Sequence, residues 1–161
     1  MVFSTDDLSV DNLQHFCYWD LAKKRNPGLK VLAFTIAEGL PCKEFDDWFM
    51  QHKDWVEIGV HCYNHDKPQE GWRDDQEYWI KKALDVLTPY LPEKFIYRPP
   101  GFRFLPKTEG ILKKLGFAGI AHQDFIKYFN TGELVGVCNT HCTYDKFVNP
   151  IGQIWNQIKV I

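Results

Sequence analysis

The chain predicts an α/β fold with mostly parallel strands, a barrel-like or open sheet. Three observations carry that reading. Short β-rich runs alternate with amphipathic stretches from end to end, the pattern of parallel strands joined by crossovers. No internal repeat, low-complexity tract or linker interrupts the alternation, so residues 1–161 read as one domain. Ionisable side chains also gather at the ends of the strand runs, the edge where α/β folds build their sites.

The first run, VFSTDDLS (residues 2–9), ends in two adjacent carboxylates, Asp6 and Asp7. It has two readings. In one, Thr5, Asp6 or Ser9 caps a helix through Leu13, Phe16 and Cys17, where acidic residues suit the first turn. In the other the run is a strand, and strand alternation then sends neighbouring carboxylates to opposite faces. KVLAFTI (Lys30 to Ile36) reads as a buried strand, and KEFDDWFMQHK (Lys43 to Lys53) as a helix with Phe45, Trp48 and Phe49 on one face. VEIGVHCY (Val56 to Tyr63) is a strand and Asp74 to Leu87 a helix. KFIYRPPG (Lys94 to Gly101) is a strand stopped by Pro99 and Pro100. Thr108 to Leu115 is a short helix closed by Gly116. FAGIAHQDF (Phe117 to Phe125) and ELVGVCNTHCTY (Glu133 to Tyr144) complete the strands, and Pro150 to Ile158 is the last helix.

Composition narrows the function classes. At 45% hydrophobic, the chain has ample material for a core. A formal charge of -2 gives no electrostatic case for nucleic acid or an anionic membrane as partner. No apolar run approaches the ~20 residues of a membrane span. The first residues lack a basic segment followed by an apolar one, so the expected location is cytoplasmic. Five cysteines without a CxxC pair suggest neither a disulfide framework nor a zinc ribbon. His15, His52 and His122 read as ordinary surface or core histidines.

The strand ends carry the chemistry. Asp6 and Asp7, His61 with His65, Arg98, Asp124 and His141 all fall at one predicted edge. In HCYNHD, His61 and His65 have the i, i+4 spacing that lets two imidazoles meet one metal ion. One carboxylate of STDD completes a set of two histidines and an aspartate with an open position. Zinc in such a site lowers the pKa of a water towards ~7 and polarises a carbonyl. The second carboxylate is then available as general base.

STDD, HCYNH, RPPG and VCNTHC stand in the order and approximate spacing of the motifs of the polysaccharide deacetylase family. YRPPGFR followed by TEGILKKLGF also resembles that family's strand, loop and helix. The resemblance spans nearly the whole chain. It implies a distorted, incomplete (β/α) barrel and a metal-dependent hydrolase that removes acetyl from a small or oligomeric N-acetylated sugar. Carried over by motif, Asp6 resembles the catalytic base, Asp7 the metal-binding aspartate, and His61 and His65 the histidine ligands. Arg98 resembles the arginine that orients the base. His141 resembles the general acid that protonates the departing amine, and Asp124 the carboxylate that raises its pKa. Tyr63 and Phe102 are assigned to the acetyl pocket or to a backbone N–H facing the oxyanion. The implied cofactor is a divalent ion, Zn2+ first, with Co2+, Ni2+, Mn2+ or Fe2+ as alternatives.

The sequence also departs from that pattern. Thr5 and Leu8 flank the aspartates where the family has Phe and Gly, and Cys142 follows His141 where an aspartate is common. Two alternatives therefore stay open: a non-catalytic, metal-containing carbohydrate-binding protein, and a hydrolase of a non-sugar amide.

Overall fold

In the computed structural model, which describes residues 2–65 and 73–140, strands close into a barrel in the order of the sequence. β1 (Val2–Leu8), β2 (Val31–Ile36), β3 (Val56–Cys62), β4 (Ile96–Tyr97) and β5 (Gly119–Ala121) are parallel, each paired with the next. β6 (Phe125–Tyr128) runs antiparallel to β5 and to β7 (Leu134–Thr140), and β7 closes on β1 in parallel. Each parallel crossover carries one helix: α1 (Cys17–Arg25), α2 (Lys43–His52), α3 (Gln76–Leu87) and α4 (Thr108–Lys114).

Strand alternation sorts the apolar residues into two layers. Leu32, Phe34, Ile96, Ala121 and Ile126 pack together inside the barrel. Their neighbours Val31, Ala33, Ile58, Val60 and Tyr97 pack outside, in one cluster with Phe45, Trp48, Ile80, Leu87 and Leu112 of the helices. Gly59 makes the inner layer possible, because a Cβ there would come within 2.8 Å of the Phe34 ring. The interior changes character along its axis. Where the parallel strands begin, a cavity of about 550 Å³ is lined by Val2, Leu32, Glu57, Ile96, Ile126 and Tyr128. Where they end, the inward residues are polar.

His52 joins two of the outer elements. Its Nδ1 lies 2.6 Å from the Trp48 carbonyl oxygen and its Nε2 2.9 Å from Asp20 of α1. The ring stacks on Trp48, 4.6 Å between centroids, and meets Phe16 edge-on. Packing accounts for this histidine.

Three expectations need correction. The run 117–125 is not one strand: β5 ends at Ala121, a tight turn follows, and β6 returns antiparallel. The His122 N–H donates to the Phe125 carbonyl at 2.8 Å, closing that turn. The strand expected over 94–101 shrinks to Ile96–Tyr97, although the Arg98 N–H still donates to Val60 O at 2.9 Å before the prolines end the ladder. The two readings of the first run both hold in part. Residues 2–8 are strand, and a 3-10 helix over Val10–Phe16 leads into α1. The proposed helix at 150–158 lies outside the described residues.

Candidate active site

The adjacency of Asp6 and Asp7 is resolved by a defect in the sheet. Phe3, Ser4 and Thr5 pair with Val31, Leu32 and Ala33, but Leu8 pairs with Thr35. β1 thus advances three residues where β2 advances two, which is a β-bulge. Asp7 takes φ 60°, a left-handed conformation uncommon outside glycine. The bulge breaks the alternation, so both carboxylates reach the site. Asn12 fastens the strained residue: its Nδ2–H donates to the Asp7 carbonyl at 2.5 Å, and its Oδ1 accepts the Ser9 N–H at 2.9 Å.

Asp7 faces the two histidines. Its Oδ1 lies 3.1 Å from Nε2 of His61 and 3.3 Å from Nε2 of His65, and the three donor atoms fall within 4.8 Å of one another. The His61 side chain is buried, whereas that of His65 is 37% exposed, so the cluster opens to solvent on the His65 side. His61 Nδ1 lies 2.8 Å from the Arg98 carbonyl oxygen, which can only accept. Nδ1 therefore carries the proton, and the Nε2 lone pair of a neutral ring points at the Asp7 carboxylate. Two acceptors at 3.1 Å need a proton or a cation between them. Burial opposes charging this ring. The hydrogen bond and charge of Asp7, with Asp6 and the Arg98 carbonyl, outweigh it and hold the His61 pKa above its usual 6.5.

This donor set fits a divalent ion. Bonds of 2.0–2.1 Å in a tetrahedron put neighbouring ligand atoms about 3.3 Å apart, close to both Asp7–histidine separations. The backbone carbonyl behind His61 is also the usual second partner of a metal-ligating imidazole.

Asp6 belongs to a different network. Its Oδ1 accepts from Nη1 of Arg98 at 2.6 Å, and its Oδ2 accepts from Nδ2 of Asn139 at 2.9 Å. Both members of the ion pair are buried, Arg98 at 0% and Asp6 at 3% exposure. Burial pulls the guanidinium pKa down, and Asp6 opposes that pull. Nη1 also donates to Ser4 Oγ at 3.0 Å and Asn139 Oδ1 at 3.1 Å, and Nη2 reaches the His122 carbonyl at 3.4 Å. The guanidinium stacks on Phe34, 4.0 Å from the ring centroid. Sequence reasoning overlooked Asn12, Asn139 and Ser4. A signal existed for the last two: Ser4 precedes Asp6 by two residues, and Asn139 precedes His141 by two, the spacing of one strand face.

The other expected site residues are placed less centrally. Asp124 lies in the β5–β6 turn at the strand-end edge, but its side chain is exposed and makes no hydrogen bond or ion pair among the described residues. Its backbone carbonyl accepts from the Val137 N–H at 2.8 Å. The Tyr63 ring packs on α3, 5.6 Å from Trp79 and 3.7 Å from Nζ of Lys82. Phe102, at φ 57°, donates its N–H to Pro99 O at 3.0 Å, so that N–H is engaged within its own turn. His141 lies outside the described residues.

No family model matches the sequence, and no curated protein does. Solved structures do match. A family 4 acetyl xylan esterase from Clostridium thermocellum, in complex with a cobalt ion, superposes with a TM-score of 0.65 at 15% identity, over 99% of this chain and 83% of that one. A Mycobacterium smegmatis protein assigned as a polysaccharide deacetylase gives 0.53 at 12% identity, over 99% and 72%. A CE4 family pseudoenzyme from Bacillus anthracis gives 0.58 at 16% identity, over 74% of this chain, which spans only 41% of the pseudoenzyme. The barrel described above is therefore the fold of the CE4 family and the polysaccharide deacetylases.

Proposed function

We propose that the chain is a metal-dependent hydrolase that removes acetyl from an N-acetylated sugar. The observation that supports this reading most is the separation of two adjacent carboxylates into two environments. Asp7 faces His61 and His65, whereas Asp6 faces Arg98 and Asn139. Asp7, His61 and His65 would hold a divalent ion, Zn2+ first, which would supply Lewis acidity to a water and to the acetyl carbonyl. Asp6 takes the proton of the attacking water. Arg98 balances the charge of Asp6 and fixes its distance. His141 is the proposed acid for the leaving amine, with Asp124 as its tuning carboxylate. Tyr63 and Phe102 are the proposed walls of the acetyl pocket.

Acetate release from acetylated chitooligosaccharides, with Zn2+ or Co2+ added, tests the proposal. Release should vanish in Asp6→Asn while Zn2+ binding persists. A broad panel of acetylated sugars, esters and other amides that yields no acetate at any metal loading would remove it. The similarity to a pseudoenzyme favours one second reading, a metal-containing carbohydrate-binding protein without turnover. That reading expects saturable glycan binding, unchanged in His141→Ala, and no product.

A further inference from the structure

Arg98 reaches Asp6 through one nitrogen and one oxygen, at 2.6 Å. A contact on one oxygen sets a distance, whereas the plane about the Cβ–Cγ bond, a torsion with a broad minimum, is set by contacts on the other oxygen. Asn139 supplies a second contact on the other oxygen, through Nδ2 at 2.9 Å. Its own orientation is determined. Oδ1 accepts from Arg98 Nη1 at 3.1 Å and from Ser4 Oγ at 3.2 Å, so a flipped amide would set NH2 against the guanidinium and C=O against the carboxylate. The four side chains come from β1, β4's end and β7, and they tie three strands together inside the barrel.

We infer that Asn139 is a positioning residue that fixes the carboxylate plane of Asp6. The inference rests on the reading of Asp6 as the proton acceptor. Asn139 makes none of its hydrogen bonds to Asp7, His61 or His65, so its removal changes the orientation of Asp6 and not the donor set. Misplacing a reacting group by about 1 Å costs on the order of 10²-fold in rate.

Two variants test this. Asn139→Leu removes all three of its hydrogen bonds while keeping the branched shape. Asn139→Ala removes them without added bulk or charge, and it decides the matter if the leucine variant does not fold. With Zn2+ loaded, kcat for acetate release should fall 10- to 100-fold while KM stays within about twofold. Zn2+ affinity by calorimetry should stay within threefold. Crystal structures of the variants should show the Asp6 carboxylate rotated or split between conformers, with Asp7 in place. An unmoved Asp6, or a kcat within twofold of the parent, overturns the inference. If the parent chain releases no acetate from any substrate, the hydrolase reading fails, and the crystallographic comparison alone decides the positioning role. A rotated carboxylate then supports it and an unmoved one overturns it.

Discussion

The main-chain carbonyl of Arg98 accepts a hydrogen bond from Nδ1 of His61 at 2.8 Å, while the Arg98 side chain holds Asp6 at 2.6 Å. One residue thus orients an imidazole through its backbone and a carboxylate through its guanidinium. Both halves of the site are tied to one buried residue just past the end of β4.

Replacing Arg98 should therefore be costly. Arg98→Met leaves Asp6 as a buried charge without its cation, and breaking such a pair typically costs about 3–5 kcal/mol. Urea unfolding should show a loss of that size. A loss below about 1 kcal/mol would mean that the pair is hydrated in solution.

Zinc should stabilise the chain through the three donors. At free Zn2+ a hundredfold above Kd the gain is about 2.7 kcal/mol, visible as a rise in Tm. Asp7→Asn and His61→Ala should abolish that rise. Loss of a direct ligand should weaken binding by more than the roughly 10- to 100-fold typical of supporting partners. A full Tm rise in His61→Ala would show that the ion binds elsewhere.

The pH dependence of that rise has a definite sign. His61 is held above its usual 6.5, so its protonated form favours the folded, metal-free chain. That contribution is complete below about 6.5 and disappears as pH rises through the raised value. Zinc must displace the same proton, so its affinity falls as pH drops through that value. The stability gap between zinc-loaded and metal-free protein should widen from pH 6 to pH 8. A constant gap across that range counts against His61 as a ligand.

Asn12 should matter beyond its own hydrogen bonds. Asn12→Ala frees the Asp7 carbonyl and the Ser9 N–H, at about 1–3 kcal/mol. It also releases the left-handed conformation that aims Asp7. Unfolding and zinc calorimetry on one sample should show both losses, with affinity reduced about tenfold.

Tyr90 gives a control remote from the site. Its hydroxyl donates to Asp46 Oδ1 at 2.5 Å. Burial first, and then Asp46, push its pKa above the usual 10.0. The protonated phenol favours the folded state, so its contribution is full below about 10 and is lost as pH rises towards the raised value. Tyr90→Phe should cost about 1 kcal/mol at pH 8. The cost should shrink at pH 10.5, because the unfolded wild-type chain ionises there and the variant does not.

Much of the barrel is legible in the sequence because its parallel strands are buried on both faces. KVLAFTI and VEIGVHCY read as apolar runs for that reason. The helices are legible from period, with Phe45 and Trp48 buried on α2 as expected. Phe49 is only partly buried, and His52 takes the next position on that face. The β5–β6 hairpin escapes because HQDF holds no glycine or proline to mark the turn. The site divides in the same way. Charged residues at strand ends announce themselves, whereas Asn139 and Asn12 act through amides whose partners lie far away in sequence or on the backbone. Nothing in a one-dimensional pattern marks a bulge between Thr5 and Leu8, because a surplus residue in one strand exists only relative to its neighbour.

That surplus residue sets two selective pressures against each other. A chain shortened by one position between Thr5 and Leu8 would run β1 in step with β2 to its end. It would also shed a left-handed aspartate, whose conformation costs about 1–2 kcal/mol. Selection for stability alone would heal the ladder and in doing so delete one of the two acids. The barrel keeps its chemistry as a lattice fault, and stabilising screens that read only Tm should be expected to erase it.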